Sequence, residues 1–353
     1  MTLFTFNVIK VLGLAAITSV ITVFWCPFLT HFLYKYRLWK KEARQKAISG
    51  EKATVFYGLH KERETKAPRF GGLLIWVTTT AVIFLFYLLA ELSGNPWLQK
   101  LNFLSRSQTW LPLFTLIAAS LVGLADDIFQ VSGKGKYVGG GLSLKKRFLI
   151  VALIGLIGSI WFYQKLGWDV LTVPLLGEVS LGLFYIPLFI FIMIACWSGG
   201  IIDGLDGLAG GTFASIFGAF TIIAFSQGKV DLATFCAVIL GALFAFLWFN
   251  IPPARFYMGE SGILGLTTVM SVVAFLTDSV FVLPIIAGLL VLESGSVIIQ
   301  LLSKKFRKKK IFLSAPIHHH LEAIGWSQYK ITMRFWIIGI VLAIIGVAIR
   351  LLG

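Results

Sequence analysis

Apolar residues in this chain fall into long runs, and polar residues collect in the breaks between them. Ten runs approach or exceed the roughly 20 residues a helix needs to cross a bilayer core: 5–34, 71–92, 109–129, 147–165, 183–199, 208–226, 231–249, 262–278, 281–303 and 334–352. Nothing resembling a soluble domain is left between them. The pattern therefore predicts an all-α, polytopic integral membrane protein of about ten transmembrane helices, with 1–353 forming a single domain. The first run carries only Lys10 and no small-residue cleavage site, so it reads as a retained span rather than a signal peptide.

Composition agrees with this: 58% of residues are hydrophobic and 13% charged, against about 25% charged in an ordinary soluble domain. Of the 31 lysines and arginines, 25 fall in alternate loops: eleven in 35–69, five in 134–147, Arg255, and eight in 304–334. Basic loops stay cytoplasmic, which puts both termini on the extracytoplasmic side. The block KKFRKKK (304–310) then reads first as a topology signal that can also attract anionic membrane lipid. A ten-span chain argues against a nucleic-acid role for it. Cys26, Cys196 and Cys236 sit in separate apolar runs without metal or disulfide spacing, as buried thiols do.

Four polar clusters stand out, and the orientation above brings all of them to the cytoplasmic face. GLADDIFQ places Asp126 and Asp127 at the end of the third run, and IIDGLDGLAGG places Asp203 and Asp206 just after the fifth. FNIPPARFYMGESG sets Asn250, Tyr257 and Glu260 between the seventh and eighth, and APIHHHLE puts His318, His319 and His320 after the ninth. Adjacent carboxylates at a membrane boundary repel one another and lose hydration unless a cation or proton joins them. Asp126 and Asp127 also sit at a helix carboxyl end, where the dipole disfavours negative charge. Both facts point to a partner such as Mg2+, which takes one or two carboxylates together with phosphate oxygens. The glycines around Asp203 and Asp206, Gly204 among them, permit turns or close helix packing. The paired prolines at 252 and 253 break any helix, and irregular backbone at that depth lines a cavity. Three consecutive histidines cannot address one ligand from a regular helix, so a loop is expected there. Zinc is disfavoured because no second ligand group with suitable spacing accompanies them. Hydrogen bonding to phosphate suits the basic setting.

These motifs, with PRFGG, GLS, and APIHHHLEAIGW followed by RFW, occur in an order and spacing that resemble the phospho-N-acetylmuramoyl-pentapeptide transferase family of the polyprenyl-phosphate N-acetylhexosamine-1-phosphate transferases. The resemblance implies an enzyme of the bacterial cytoplasmic membrane. It would use UDP-MurNAc-pentapeptide, undecaprenyl phosphate and Mg2+ to form lipid I and UMP, and it is compatible with a homodimer. It further implies that Asp126 and Asp127 engage or deprotonate the lipid phosphate, and that Asp203, Asp206 and Gly204 lie near the nucleotide and catalytic centre. Asn250 would be a site asparagine, Tyr257 would stack on uracil, Glu260 with Asp203 would bind metal, His318 to His320 would sit near the substrate phosphates, and Lys66 or Lys61, between which the alignment slips, would contact substrate. The chain departs from the family pattern at several places. Trp197, Ser198, Gly199 and Gly200 replace a run with two amides, Glu260 replaces aspartate, Gln130 replaces lysine, Arg69 and Phe70 replace Thr-Met, and Gly140 stands where a lysine is usual.

Three other functions compete with this one. A sister transferase for UDP-GlcNAc or a related sugar would be told apart by its donor, and relatives of that kind carry a differently arranged histidine motif from the APIHHH followed by GW seen here. A transporter or flippase would carry mid-span acids and internal symmetry; Glu293 is the one mid-span acid, and no repeat is visible. A homologue that binds lipid without turnover would follow from the missing amides.

Overall fold

The structure is a computed structural model that describes residues 2–43, 52, 54–133, 140–174 and 176–352, apart from the side chain of Arg63. Of the basic loop residues counted above, Arg44, Lys46, Lys134 and Lys136 lie outside the described residues. The helices are α1 (Leu3–Lys35), α2 (Thr54–Glu64), α3 (Gly72–Ser93), α4 (Pro96–Leu101), α5 (Trp110–Ser132), α6 (Leu144–Ile160), α7 (Tyr185–Ser198), α8 (Leu208–Ser226), α9 (Val230–Asn250), α10 (Gly259–Leu276), α11 (Leu283–Ile286), α12 (Gly288–Arg307), α13 (Ile317–Ala323) and α14 (Gln328–Leu352). Between α6 and α7 a small antiparallel hairpin, β1 (Val170–Val173) and β2 (Gly177–Ser180), pairs Val170 with Ser180.

Among the described residues, nine helices are long and apolar enough to cross a membrane. The expected span at 281–303 is the exception. It is helical but broken at Ala287 into α11 and α12. Glu293, Ser296, Gln300 and Ser303 line the buried face of α12, while Val291, Leu292, Ile298 and Ile299 face outward. An inward polar stripe of this kind lowers apolarity without preventing burial in the bundle. The long basic loop at 35–69 likewise contains a helix, α2.

The bundle is built around α10, whose residues after Glu260 are buried throughout and which packs chiefly on α5, with α7 and α3 beside it; α8 and α9 pack on each other as a second heavily buried pair, while α1 and α14 expose most of their apolar surface. Small residues explain why α10 can be central, because in lipid helices associate by close packing rather than by hydrophobic expulsion. Gly72 of α3 lies against Gly262, and a Cβ on Gly123 of α5 would run into the Glu260 carbonyl. The buried hydroxyls of Thr267 and Thr268 return their protons to the Ile263 and Leu264 carbonyls one turn back. Cys26, Cys196 and Cys236 are free and buried, as expected.

Candidate active site

All four polar clusters meet at one end of the bundle, where α5, α7 and α9 finish and α3, α8, α10 and α14 begin. The connection after α9 is what draws them together. Asn250 receives the Gly207 N–H at 3.0 Å and donates its amide to the Phe256 carbonyl at 2.7 Å, which ties the start of α8 to the irregular segment 251–258. Asp206 accepts the Ala254 N–H at 2.9 Å. Gly207, at φ 75, provides the left-handed turn that a side chain would resist. The half-buried Tyr257 is pinned by its backbone: its N–H donates to the Pro68 carbonyl and its own carbonyl receives the Gly71 N–H, both at 2.8 Å.

Four carboxylates converge here. Asp127 accepts the Glu260 and Ser261 N–H groups at the first turn of α10 (3.0 and 2.9 Å) and Nε of Arg69 at 3.3 Å. That helix start favours negative charge, and it offsets the poor position of Asp127 at the end of α5. Asp126 accepts the Leu142 N–H, the Gln130 amide at 2.7 Å and Arg147 at 2.7 Å. Arg147 reaches on to Glu260 Oε1 at 2.6 Å, so one guanidinium spans two acids. Asp203 accepts the Gly259 N–H through Oδ2 at 3.1 Å. Among the described residues, Asp203 Oδ1 and Glu260 Oε2 have no hydrogen-bond partner, whereas every carboxylate oxygen of Asp126 and Asp127 has at least one. Burial pushes the Asp203 carboxyl up to about 6, against the opposing pull of Arg69 and the Gly259 N–H. Burial alone would lower the Arg69 guanidinium, but Asp127, Asp203 and Glu260 together hold it above its ordinary range.

The three histidines occupy α13 rather than a loop, which corrects the expectation from sequence. Successive residues on a helix point about 100° apart, and the rings separate accordingly. His318, fully buried, sets Nδ1 at 2.8 Å from Glu293 Oε2 on α12. His319 and His60 of α2 each direct a nitrogen at Glu322 Oε2, at 2.8 and 2.9 Å. Burial, followed by the adjacent His318, pushes the His319 imidazole down to about 3. Burial would raise the Glu322 carboxyl, but the bonds from His319 and His60 outweigh it and hold the group below the usual carboxylate range. His320 turns away, receiving the Leu313 N–H at Nδ1 and packing on Phe312. Gly204 is the contact point between clusters, since a Cβ there would collide with His318 Nε2.

Lys66 is not drawn into this group. Its exposed ammonium pairs with Glu62 at 3.3 Å on the surface of the α2 segment. Arg69, Arg147, His60 and Glu322 hold positions that motif reading missed. Their signal in the sequence is faint: Arg69 and Glu322 lie inside the quoted PRFGG and APIHHHLE without a role assigned to them, and Arg147 and His60 lie in loops read only for topology. The departures noted above also find physical explanations. Gln130 supplies a neutral donor to Asp126. Side chains at Gly199 and Gly200 would overlap Leu290 and Ile263, so apolar packing fills that space here.

The Glycosyl transferase family 4 model matches residues 109–278, a stretch that holds all four carboxylates and Asn250. The relatives extend the match to nearly the whole chain. A phospho-N-acetylmuramoyl-pentapeptide-transferase of Anoxybacillus flavithermus is 33% identical over 343 residues, 96% of this chain and 98% of the relative. Its namesake in a Geobacillus strain is 33% identical over 345 residues (97% and 98%), and that of Chloroflexus aggregans is 30% identical over 357 residues (97% and 90%). With such identity sustained almost end to end, the chain belongs to the phospho-N-acetylmuramoyl-pentapeptide-transferase family.

Proposed function

We propose that the protein transfers phospho-MurNAc-pentapeptide from UDP-MurNAc-pentapeptide to undecaprenyl phosphate at the cytoplasmic face, releasing UMP and forming lipid I. As a family member it is a phosphoglycosyl transferase and a multi-pass protein of the bacterial cytoplasmic membrane, with nucleotide-sugar and lipid substrates. The observation that carries the finer reading is the contrast among the four carboxylates. Asp126 and Asp127 spend their oxygens on Arg147, Arg69 and backbone N–H groups, while Asp203 and Glu260 each keep one oxygen uncommitted.

That pair fits a divalent cation: two hard oxygen donors, held on adjoining backbone through the Gly259 N–H. Bound by them, Mg2+ would neutralise the diphosphate and stabilise charge on the UMP leaving group. The chain's own residues supply position. Asp127 fixes the first turn of α10 and with it Glu260, and Arg147 holds the other Glu260 oxygen toward α5. Asn250 anchors the turn at 203–207, on which Asp203 is carried, and Gly204 allows His318 to approach it. Asp126 and Asp127 are buried and each already accepts three hydrogen bonds, all but that of Gln130 from outside α5, so we assign them a positioning role. Tyr257, half-buried and fixed at its backbone on both sides, is the residue we assign as the stacking partner for the base.

Product analysis tests the reading. Purified, detergent-solubilised protein is given undecaprenyl phosphate, Mg2+ and either UDP-MurNAc-pentapeptide or UDP-GlcNAc, with Asp203→Asn as the control. UMP and lipid I from the first donor alone, lost in the control, are expected. Turnover of UDP-GlcNAc alone would move the protein to a sister activity, and no UMP from either donor would end the transferase reading.

A further inference from the structure

Two arginines enter the carboxylate cluster, and they are used differently. Arg147 bridges Asp126 and Glu260 with its two terminal nitrogens. Arg69 makes a single side-chain bond, from Nε to Asp127, and among the described residues neither of its terminal nitrogens has a hydrogen-bond partner. Its side chain is 17% exposed, so it is largely desolvated yet still reachable from solvent. A guanidinium in that condition gives up hydration without recovering it from the protein, a deficit that an arriving anion removes.

The backbone around Arg69 is equally particular. Its N–H is tied to the Leu38 carbonyl at 3.0 Å, and the preceding Pro68 carbonyl is tied to Tyr257. The next residue, Phe70, is buried at φ 76, a left-handed conformation that a bulky side chain adopts only at a cost. That conformation lets Phe70 enter the core while Arg69 stays beside Asp127.

We propose that Arg69 is a phosphate-binding residue of this site, its two terminal nitrogens gripping phosphoryl oxygens of a substrate while Nε remains on Asp127. The proposal rests on the transferase reading above. The planar fork matches two oxygens of one phosphoryl group, a geometry that a lysine ammonium cannot reproduce. The phosphoryl group belongs either to the nucleotide-sugar diphosphate or to the lipid phosphate, and the experiment separates the two.

Initial rates are measured with UDP-MurNAc-pentapeptide and undecaprenyl phosphate varied in turn, for the unaltered protein, Arg69→Lys and Arg69→Ala, with Tm recorded for each. Isothermal titration with UDP gives a readout independent of turnover. The alanine variant leaves Asp127 buried without its counter-ion and can fail to fold; the lysine variant keeps the charge and removes only the fork. For Arg69→Lys a folded protein is expected, with KM for one substrate raised about tenfold or more, the loss of a charge-assisted hydrogen bond. A rise for the nucleotide sugar, together with weaker UDP binding, assigns the fork to the diphosphate; a rise for the lipid alone assigns it to the lipid phosphate. If both KM values stay within about twofold while only Tm falls, Arg69 is a counter-ion and the proposal is overturned. Should the unaltered protein release no UMP, the transferase reading itself fails and this assignment goes with it.

Discussion

Where α1 and α9 begin, Lys10 meets Asp231 at 2.9 Å and also donates to the Asn102 carbonyl. Nearby, Lys229 and Gln227 cap the last carbonyls of α10, and Arg350 lies 3.6 Å from Asp278, which also accepts the Thr172 N–H. There the charged groups close helix ends and pair one to one. At the opposite end of the same helices, four carboxylates share two arginines, with Asp203 Oδ1, Glu260 Oε2 and both terminal nitrogens of Arg69 uncommitted. Both ends solve the problem of polar backbone at a membrane boundary, and among the described residues both leave some polar atoms unpaired, Gln227 Oε1 among them at the far end, but only at the site end do the acids outnumber the cations that meet them. Reserve capacity of both signs, held in fixed positions, is what a site for a metal-bound phosphate requires.

Removing Arg147 should break this comparison most severely. Arg147→Ala leaves Asp126 buried and Glu260 without its partner, and loss of one member of a buried ion pair costs about 3–5 kcal/mol. A large fall in Tm is expected, against a smaller one for Lys10→Met at the far end, where the Asp231 left unpaired is 28% exposed. Equal Tm changes for the two variants would show that the site end is no more strained than the other. Next in size is Asp203→Asn. It keeps the shape but replaces one carboxylate oxygen by an amide NH2 and removes the charge, and kcat/KM should fall on the order of 100-fold or more with Tm nearly unchanged. A fall in Tm with activity retained would mean that Asp203 serves the fold alone.

Much of this arrangement was legible in the sequence, for a definite reason. The third and fifth runs end, and the eighth begins, at carboxylates, and alternation across a bilayer forces those ends together, so Asp126, Asp127, Asp203 and Glu260 could be grouped from hydropathy and basic loops alone. What could not be read was which oxygen each carboxylate spends. That depends on the first turn of α10 pointing its N–H groups at Asp127, and on Arg147 being long enough to span Asp126 and Glu260. Glu293 was legible only as an anomaly; its pairing with His318 required the break at Ala287 and the placement of α13 beside α12. The histidines show the opposite case, in which the rule that neighbours diverge was correct but the inferred loop was not. Three separate partners, Glu293, Glu322 and the Leu313 N–H, satisfy a helical turn just as well.

A pH series sharpens the comparison from the His319 side. His319 is held down to about 3 in the folded chain, below the ordinary 6.5, so the unfolded chain binds more protons throughout that window. Stability is therefore complete above about pH 6.5 and is lost as pH falls toward 3, with about 2 kcal/mol gone by pH 5. Glu322, held below its ordinary 4.5, adds a loss of the same sign further down. Tm followed from pH 7.5 to 5 should decline less steeply in His319→Gln than in the unaltered protein. Parallel curves would remove His319 as the source.

The smallest effect is expected at Lys66, where family resemblance and geometry disagree. The resemblance makes it a substrate contact, yet its ammonium is exposed and faces Glu62 across one helical turn. Such i, i+4 pairs contribute about 0.3–0.5 kcal/mol, and an exposed flexible lysine offers a phosphate only a screened point charge. Arg69, three residues on, is already desolvated among the carboxylates. Lys66→Ala should then leave kcat/KM within about twofold, well short of the change expected at Arg69. Assays at low and high salt decide the matter. A modest loss confined to low salt would mark Lys66 as part of the diffuse basic field around the cleft. A tenfold loss that persists at high salt would mean that the segment following α2 closes onto bound substrate, and the site would then extend beyond the end of the bundle.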